Sequence, residues 1–138
     1  MPAPAGARPS LVQRLVEAGQ IDSFLAGLSR EERRQFEYHW AAWGRPDQQW
    51  PAGDWRTLLI LAGRGWGKTR TAAELTREAV ERRGYRRLAV VGRTAADVRD
   101  VIVEGESGIL AVSPPWNRPR YEPSKRRLTW PGGAVATT

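Results

Sequence analysis

The stretch LLILAGRGWGKTRTAAEL, residues 58–75, decides the fold of this chain. Residues 57–62 form a continuous apolar run, which is typical of a strand buried on both faces. Glycines then occur at positions 63, 65 and 67, and a helical pattern runs from Lys68 to Gly84. The sequence therefore predicts a strand, a glycine-rich loop and a helix, in that order.

The loop matches a phosphate-binding pattern. Residues 62–69 read AGRGWGKT, and they fit G-x-x-x-x-G-K-[ST] everywhere except at Ala62. When such a loop joins a strand to a helix, its backbone N–H groups converge on a phosphate at the positive end of the helix. We therefore predict a phosphate site here, and the alternative is a flexible turn without a ligand.

The residues of the loop have expected roles. Lys68 can reach the β and γ phosphates as a point charge, while the Thr69 hydroxyl is placed to coordinate Mg²⁺. The guanidinium of Arg64 could stabilise charge on the γ-phosphate, with a solvated arginine as the alternative. Trp66 is expected to pack against the loop or cover it. Close backbone approach to the phosphates is permitted at three positions, Gly63, Gly65 and Gly67.

Composition narrows the class of protein. A chain of 138 residues is expected to form one modest domain. Its 22 Lys and Arg against 15 Asp and Glu leave a net charge of +7, which favours a polyanionic partner such as nucleic acid, with a basic solvated surface as the alternative. The absence of cysteine excludes a disulfide framework, a thiolate metal site and a cysteine nucleophile.

Other features of the chain predict neither a membrane segment nor a metal centre. The N-terminal residues lack the apolar stretch of a signal peptide, and no window approaches about 18 apolar residues. We therefore expect a soluble cytoplasmic protein with no membrane partner. The single histidine, His39, has no neighbouring ligand-type residues in sequence and is interpreted as a packing or surface residue.

The remaining segments predict an α/β domain preceded by helices. We expect a disordered tail over 1–9, a helical segment over 10–44 and a nucleotide-binding domain over 45–138. In the helical segment, Ser10 and Ser29 have the character of helix N-caps, and the second helix is expected to run to Trp43.

A second apolar run, at 87–92, would complete a strand–helix–strand unit with a parallel sheet. A later helix beginning after Thr94 is expected to bury Val98, Val101 and Ile102. The final residues, 126–138, read as two strands around a Pro-Gly-Gly turn.

Three blocks of the sequence resemble one family. They are GDWRTLLILAGRGWGKTRTAAEL at 53–75, VVGRTAADVRDVIVEGESGIL at 90–110 and PRYEPSKRRLTWPGGAVA at 119–136. Together they are similar to the large terminase subunit of tailed bacteriophages and gene transfer agents over about residues 29–138. This resemblance implies an N-terminal P-loop ATPase domain of the additional-strand class, which drives the packaging of double-stranded DNA into procapsids and is followed by a nuclease domain.

The resemblance also implies residue roles and partners. Lys68 and Thr69 would form the Walker A pair that binds ATP and Mg²⁺, and Arg64 would be a catalytic arginine acting in cis. Gln48 resembles the upstream glutamine that reads adenine, with Gln49 as the alternative. The implied partners are double-stranded DNA, the small terminase subunit and the portal protein, in a homo-oligomeric ring in the cytoplasm of a bacterial host.

One part of the family pattern is missing. Residues 1–138 contain no apolar strand ending in Asp-Glu, the Walker B segment whose carboxylates support Mg²⁺ and orient water. The chain is therefore interpreted as a partial P-loop ATPase, truncated before Walker B and without the nuclease domain, in which hydrolysis is expected to be slow. Two alternatives stay open: a helicase-like P-loop NTPase acting on nucleic acid, and a non-catalytic remnant that only binds nucleotide.

Overall fold

The computed structural model describes residues 8–138 and shows two compact units. The first unit ends at Trp66, and the second spans Gly67–Thr138. Residues 1–7 of the predicted disordered tail lie outside the described residues. The division into 1–9, 10–44 and 45–138 stays a prediction.

Residues 11–48 of the first unit form short helices, and residues 49–66 form no helix or strand. The helices are α1 Leu11–Glu17, α2 Ile21–Ala26, α3 Arg30–Phe36 and α4 Trp40–Trp43, followed by a 3₁₀ turn at Pro46–Gln48. Two of them begin with a capping box, in which a serine and the residue three positions later satisfy each other's backbone N–H groups. The pairs are Ser10 with Gln13 and Ser29 with Glu32. The N-caps predicted at Ser10 and Ser29 are thus confirmed.

The helix predicted from Ser29 to Trp43 is broken in two. His39 has the non-helical angles φ −85° and ψ 81°, and the chain turns there. The break allows the indole Nε1 of Trp43 to donate to the carbonyl of Phe36 at 2.8 Å, and their rings lie 5.7 Å apart. These contacts between residues seven apart in sequence replace helical hydrogen bonds, so the propensity of the segment was overridden by tertiary packing.

The strand predicted over 57–62 is absent from the structure, and that prediction was wrong. These residues form no β-ladder within the described part of the chain, and Leu59 and Leu61 are 74% and 84% exposed. An apolar run becomes a strand only where a neighbouring backbone completes its hydrogen-bond ladder. The sequence showed the apolar character but contained no information on that neighbour.

The second unit combines helices with a small sheet. Its helices are α5 Lys68–Glu81, α6 Ala95–Asp97, which continues into a π-helical turn at Val98–Val103, and α7 Ile109–Val112. Its strands are β1 Arg87–Ala89, β2 Arg120–Glu122, β3 Arg127–Thr129 and β4 Val135–Thr137. Two 3₁₀ turns, Pro115–Asn117 and Pro123–Lys125, flank β2.

The four strands form a mixed sheet in the order β1-β4-β3-β2. Strand β1 pairs with β4 in parallel, whereas the β4–β3 and β3–β2 pairs are antiparallel. The α/β class is therefore correct, and the two strands around the Pro-Gly-Gly turn are confirmed as β3 and β4. The parallel βαβ core expected from 57–62 and 87–92 is not formed in the described residues, because its first strand is missing.

One face of the sheet builds the core of this unit. Leu88, Ala136, Leu128 and Tyr121 lie side by side across the four strands. They belong to a cluster with buried residues from the three helices, Ala73, Val98, Val103, Ile109 and Val112.

The buried positions of the helices differ partly from those predicted. Val101 is 48% exposed, whereas Val103 is fully buried. A π-helical turn bonds residues five apart, so Val98 and Val103 share a face there, and a regular α-helical period does not describe it.

Candidate functional site

The glycine-rich segment adopts backbone angles that other residues rarely adopt. Gly65, in the first unit, has φ 81°, and Gly67, the first residue of the second unit, has φ 97°. Both values lie in the left-handed region, where a Cβ atom adds strain. At Gly63 an added Cβ would meet no atom within 4 Å. Gly65 and Gly67 therefore each hold a backbone conformation that glycine adopts at little cost.

Helix α5 begins directly after this turn. Gly67 is its N-cap and provides no side chain to bond the first-turn N–H groups. The N-terminus of a helix carries the positive end of the helix dipole, which favours an anion. Lys68 and Thr69 are the first two residues of α5, with Lys68 exposed and Thr69 half-buried. Of the predicted strand, loop and helix, the loop and the helix are present.

The side chain of Gln48 forms a hydrogen bond with the backbone of the glycine-rich loop. Its amide is 5% exposed, and Nε2 donates to the carbonyl oxygen of Trp66 at 3.0 Å. Its Oε1 accepts from the backbone N–H of Arg45 at 3.1 Å, which fixes the orientation of the amide. The structure thus brings together two residues of the predicted site that lie 18 positions apart in the sequence.

Gln49 has a different environment. Its Nε2 donates to the carbonyl of Gly44 at 2.9 Å and to that of Trp40 at 3.3 Å. Both acceptors belong to α4 and its C-cap. The amide of Gln49 therefore stabilises the turn after α4, whereas the amide of Gln48 contacts the loop.

Two further residues, which the sequence did not indicate, also contact Trp66. Arg45 Nη2 donates to the carbonyl of Trp66 at 3.1 Å, and its guanidinium lies 5.3 Å from the centroid of the Trp66 ring. Asp47 Oδ2 accepts from the indole Nε1 of Trp66 at 3.1 Å, and Asp47 Oδ1 lies 3.3 Å from Arg45 Nε. We call Arg45, Asp47, Gln48 and Trp66 the Trp66 clamp. In the sequence, only proximity to Gln48 could have indicated Arg45 and Asp47.

Trp66 thus packs against Arg45 and bonds Asp47 within the first unit, and its predicted place in a nucleotide-binding site stays a prediction. Arg64, in contrast, is exposed on the turn. No contact of Arg64 in the structure assigns it a role, so its assignment as a catalytic arginine stays a prediction.

A buried charge network lies further along α5. Glu74 is 1% exposed; Arg70 Nε donates to its Oε1 at 2.9 Å, and Arg77 Nη1 lies 3.2 Å from its Oε2. Arg77 Nη1 also donates to the carbonyl of Val112 at 2.7 Å, which ties α5 to α7. Burial raises the pKa of Glu74, and the charges of Arg77 and Arg70 oppose this rise. Charged residues at 70, 74 and 77 are usually assigned to a solvated face, so sequence periodicity gave no signal for this network.

The described residues offer few side chains that could bind a metal ion together. No group of three or more His, Cys, Asp or Glu side chains in residues 8–138 is arranged to hold a metal ion. The coordination of Mg²⁺ by the Thr69 hydroxyl stays a prediction; this ion keeps several waters and binds with few protein ligands when phosphates are also present. No helix in the described part of the chain is long and apolar enough to cross a membrane.

Comparison with known protein families identifies the chain. The family model described as terminase large subunit, T4likevirus-type, N-terminal, matches residues 59–138, more than half of the chain. The chain belongs to this terminase family. The match includes the loop from Gly63 to Thr69 and the whole second unit, and it confirms the resemblance to a terminase large subunit.

The family points to a DNA-packaging terminase and leaves the helicase-like alternative without support. Neither the curated proteins nor the solved structures contain a match to this terminase chain.

Proposed function

We propose that residues 63–69 of this terminase chain bind the triphosphate of ATP together with Mg²⁺, as part of the motor that packages double-stranded DNA. One observation carries the proposal. Gly67, in the left-handed conformation at φ 97°, is the uncapped start of a 14-residue helix whose first residues are Lys68 and Thr69. An uncapped helix N-terminus that follows a glycine turn and begins with a lysine is suited to a phosphate group.

The residues have distinct roles in this proposal. Lys68 neutralises the β and γ phosphates, and Thr69 supplies its hydroxyl to Mg²⁺. Arg64 stabilises negative charge on the γ-phosphate during transfer to water. Bound Mg²⁺ supplies additional positive charge to the phosphate oxygens. Backbone N–H groups of the turn contribute directional donors, which phosphate oxygens can approach closely because Gly63, Gly65 and Gly67 have no side chains.

Gln48 is the proposed adenine-reading residue, in preference to Gln49. The support is its contact with Trp66 of the loop, whereas Gln49 bonds the carbonyls after α4. A side-chain amide has two donors and two acceptor sites. Gln48 uses one donor on Trp66 and one acceptor on Arg45, so its amide has one further donor and one further acceptor for an adenine edge. Because Gln48 is 5% exposed, this role requires nucleotide binding to open a path to the amide.

The partners follow from the family. We propose that duplex DNA, a small terminase subunit and a portal protein are the partners of the full-length motor, which would act as a homo-oligomeric ring in the cytoplasm of a bacterial host. The net charge of +7 supports a polyanionic partner.

Calorimetric titration with ATP and Mg²⁺ tests the proposed site. Lys68→Ala should abolish measurable binding, because the loop loses its only ammonium group. Lys125→Ala is the matched control, since Lys68 and Lys125 are the only lysines of the chain, and it should retain wild-type affinity. Unchanged affinity in Lys68→Ala would exclude the loop as the nucleotide site.

A further inference from the structure

The four-stranded sheet has a second face, opposite the core, that carries arginines and threonines. In the register of the strands, Arg87, Val135, Thr129 and Arg120 lie in one row. The neighbouring core row is Leu88, Ala136, Leu128 and Tyr121. Because side chains alternate between the two faces along each strand, the Arg87 row points away from the core. The row beyond the core row, Ala89, Thr137, Arg127 and Glu122, shares this outer face.

The outer face is positively charged. Arg87 and Arg120, at the two ends of their row, are exposed. The one carboxylate on this face, Glu122, accepts from Lys125 Nζ at 3.0 Å and from Arg127 Nη2 at 3.3 Å, so two cations neutralise it. Arg87 and Arg120 therefore set the sign of the potential across the face.

A groove lies beside β1 and β4 and is lined by residues of both faces, since Leu88 and Arg87 both border it. It has a volume of about 380 Å³, and its lining includes Arg86, Arg87, Val135 and Thr137. The guanidinium of Arg86 donates to the carbonyl of Gly132 in the Pro-Gly-Gly turn, which anchors that cation at the end of the groove. Two basic segments that are distant in sequence, around 86–87 and around 120–127, are thus brought onto one surface by strand pairing.

We propose that this outer face, with Arg87 and Arg120 as its anchoring cations, binds the phosphodiester backbone of duplex DNA. The proposal rests on the proposed function in its choice of DNA as the polyanion. Three strand spacings separate β1 from β2, which places the two arginines about 14 Å apart at about 4.8 Å per spacing. This separation is comparable to the roughly 12 Å width of the DNA major groove. This spacing is between the strand backbones, and the long arginine side chains extend from it, so the pair matches the scale of phosphates on both sides of one groove.

The chemistry of the face favours contact with phosphates over reading of bases. Arginine side chains and threonine hydroxyls are common phosphate ligands, and contacts to phosphate carry no sequence information. The outward rows consist of residues of three-residue strands, and readout of bases usually depends on a helix or a longer β-ribbon in the major groove. Binding should therefore be independent of sequence and strongly dependent on salt, as the transport of DNA of any sequence requires.

The experiment measures the affinity of the full chain for a short mixed-sequence duplex as a function of salt. The logarithm of affinity falls against the logarithm of salt with a slope of about 0.9 per neutralised phosphate. The double variant Arg87→Gln/Arg120→Gln should reduce this slope by about two. Arg87→Lys/Arg120→Lys retains both charges and should keep the wild-type slope. The matched control is Arg14→Gln/Arg30→Gln, which removes two exposed arginines of α1 and α3 and should leave the slope unchanged.

Other results would overturn the proposal. An unchanged slope in Arg87→Gln/Arg120→Gln, an equal loss in the Arg14 and Arg30 control, or no duplex binding by the wild type would each do so. If the double variant kept its affinity for duplex and lost affinity for polyglutamate, the face would be assigned to an acidic protein partner. Calorimetry with ATP on the same samples keeps this result separate from the proposed nucleotide site, because none of these variants should alter ATP affinity.

Discussion

The side-chain amide of Gln48 donates a hydrogen bond of 3.0 Å to the backbone carbonyl of Trp66. The glutamine proposed to read adenine is therefore also a residue that holds the glycine-rich loop. Its other amide atom is fixed by the N–H of Arg45, and Trp66 is held a second time through its indole by Asp47. In the proposed site, recognition of the base and the conformation of the loop would both depend on this one side chain.

We predict that Gln48→Ala lowers ATP affinity about 5- to 10-fold, since a lost hydrogen bond of this kind is worth about 1 kcal/mol. It should also reduce the preference for ATP over GTP. Gln49→Ala should lower the melting temperature, because the amide of Gln49 bonds the carbonyls of Trp40 and Gly44, and should leave the ATP preference intact. Calorimetry with both nucleotides measures these effects, and the opposite pattern would assign base recognition to Gln49.

Thr69→Ala should remove the enhancement of ATP affinity by Mg²⁺. Thr69 is the second residue of α5, and its hydroxyl is the proposed protein ligand of the ion. Thr69→Ser retains a hydroxyl and should preserve the enhancement. The measurement is ATP affinity with Mg²⁺ and with EDTA. A Thr69→Ala variant with a normal response to Mg²⁺ would show that the ion is bound without this side chain.

Leu61→Ala should change the free energy of unfolding by no more than about 0.5 kcal/mol, the range of surface substitutions. Leu61 is 84% exposed in the structure. Leu128→Ala, at a fully buried position of β3, is the matched control and should cost about 2–5 kcal/mol. Urea unfolding measures both. A cost at Leu61 as large as that at Leu128 would show that 57–62 is buried, as a strand would be.

The stability of the protein should depend on the titration of Glu74. Burial raises the pKa of this carboxyl in the folded state, against the opposing charges of Arg77 and Arg70. The folded chain then keeps the proton at pH values at which the unfolded chain has lost it. The contribution of Glu74 to the unfolding free energy therefore decreases as pH rises from the ordinary glutamate pKa of 4.5 through the raised value.

Glu74→Gln removes this titration, so the variant should gain stability relative to wild type as pH rises through the same window. Urea unfolding at several pH values measures the difference. Glu17→Gln, at an exposed position of α1, is the control and should not show this trend. If the wild type instead gained stability relative to Glu74→Gln with rising pH, the charges of Arg77 and Arg70 would lower the pKa of Glu74 more than burial raises it.

Local signals predicted the parts of the fold that depend on neighbouring residues. The capping box at Ser29 and the cap at Thr94 are both present, with Thr94 Oγ1 accepting from the N–H of Asp97 at 3.0 Å. The start of α5 after Gly67 is also as predicted. Each of these features is set by side chains within about four positions, so sequence alone contains the necessary information.

Features that depend on distant partners were not predictable in the same way. The apolar run at 57–62 has the composition of a buried strand, but no ladder forms there in the described residues. The buried face after Thr94 shifted from Val101 to Val103 because the turn is π-helical. The burial of Glu74 depends on Arg77 reaching the carbonyl of Val112, 35 residues later.

The sequence by itself determined the family, the glycine-rich loop with Lys68 and Thr69, and the helix that follows, because these depend on residue type and short-range spacing. Only the tertiary structure decided that Gln48, and not Gln49, contacts the loop. It also decided that Arg87 and Arg120 share one face of the sheet. Both results depend on which backbone atoms a side chain or strand meets across the fold, and that pairing is set by packing between segments far apart in the chain.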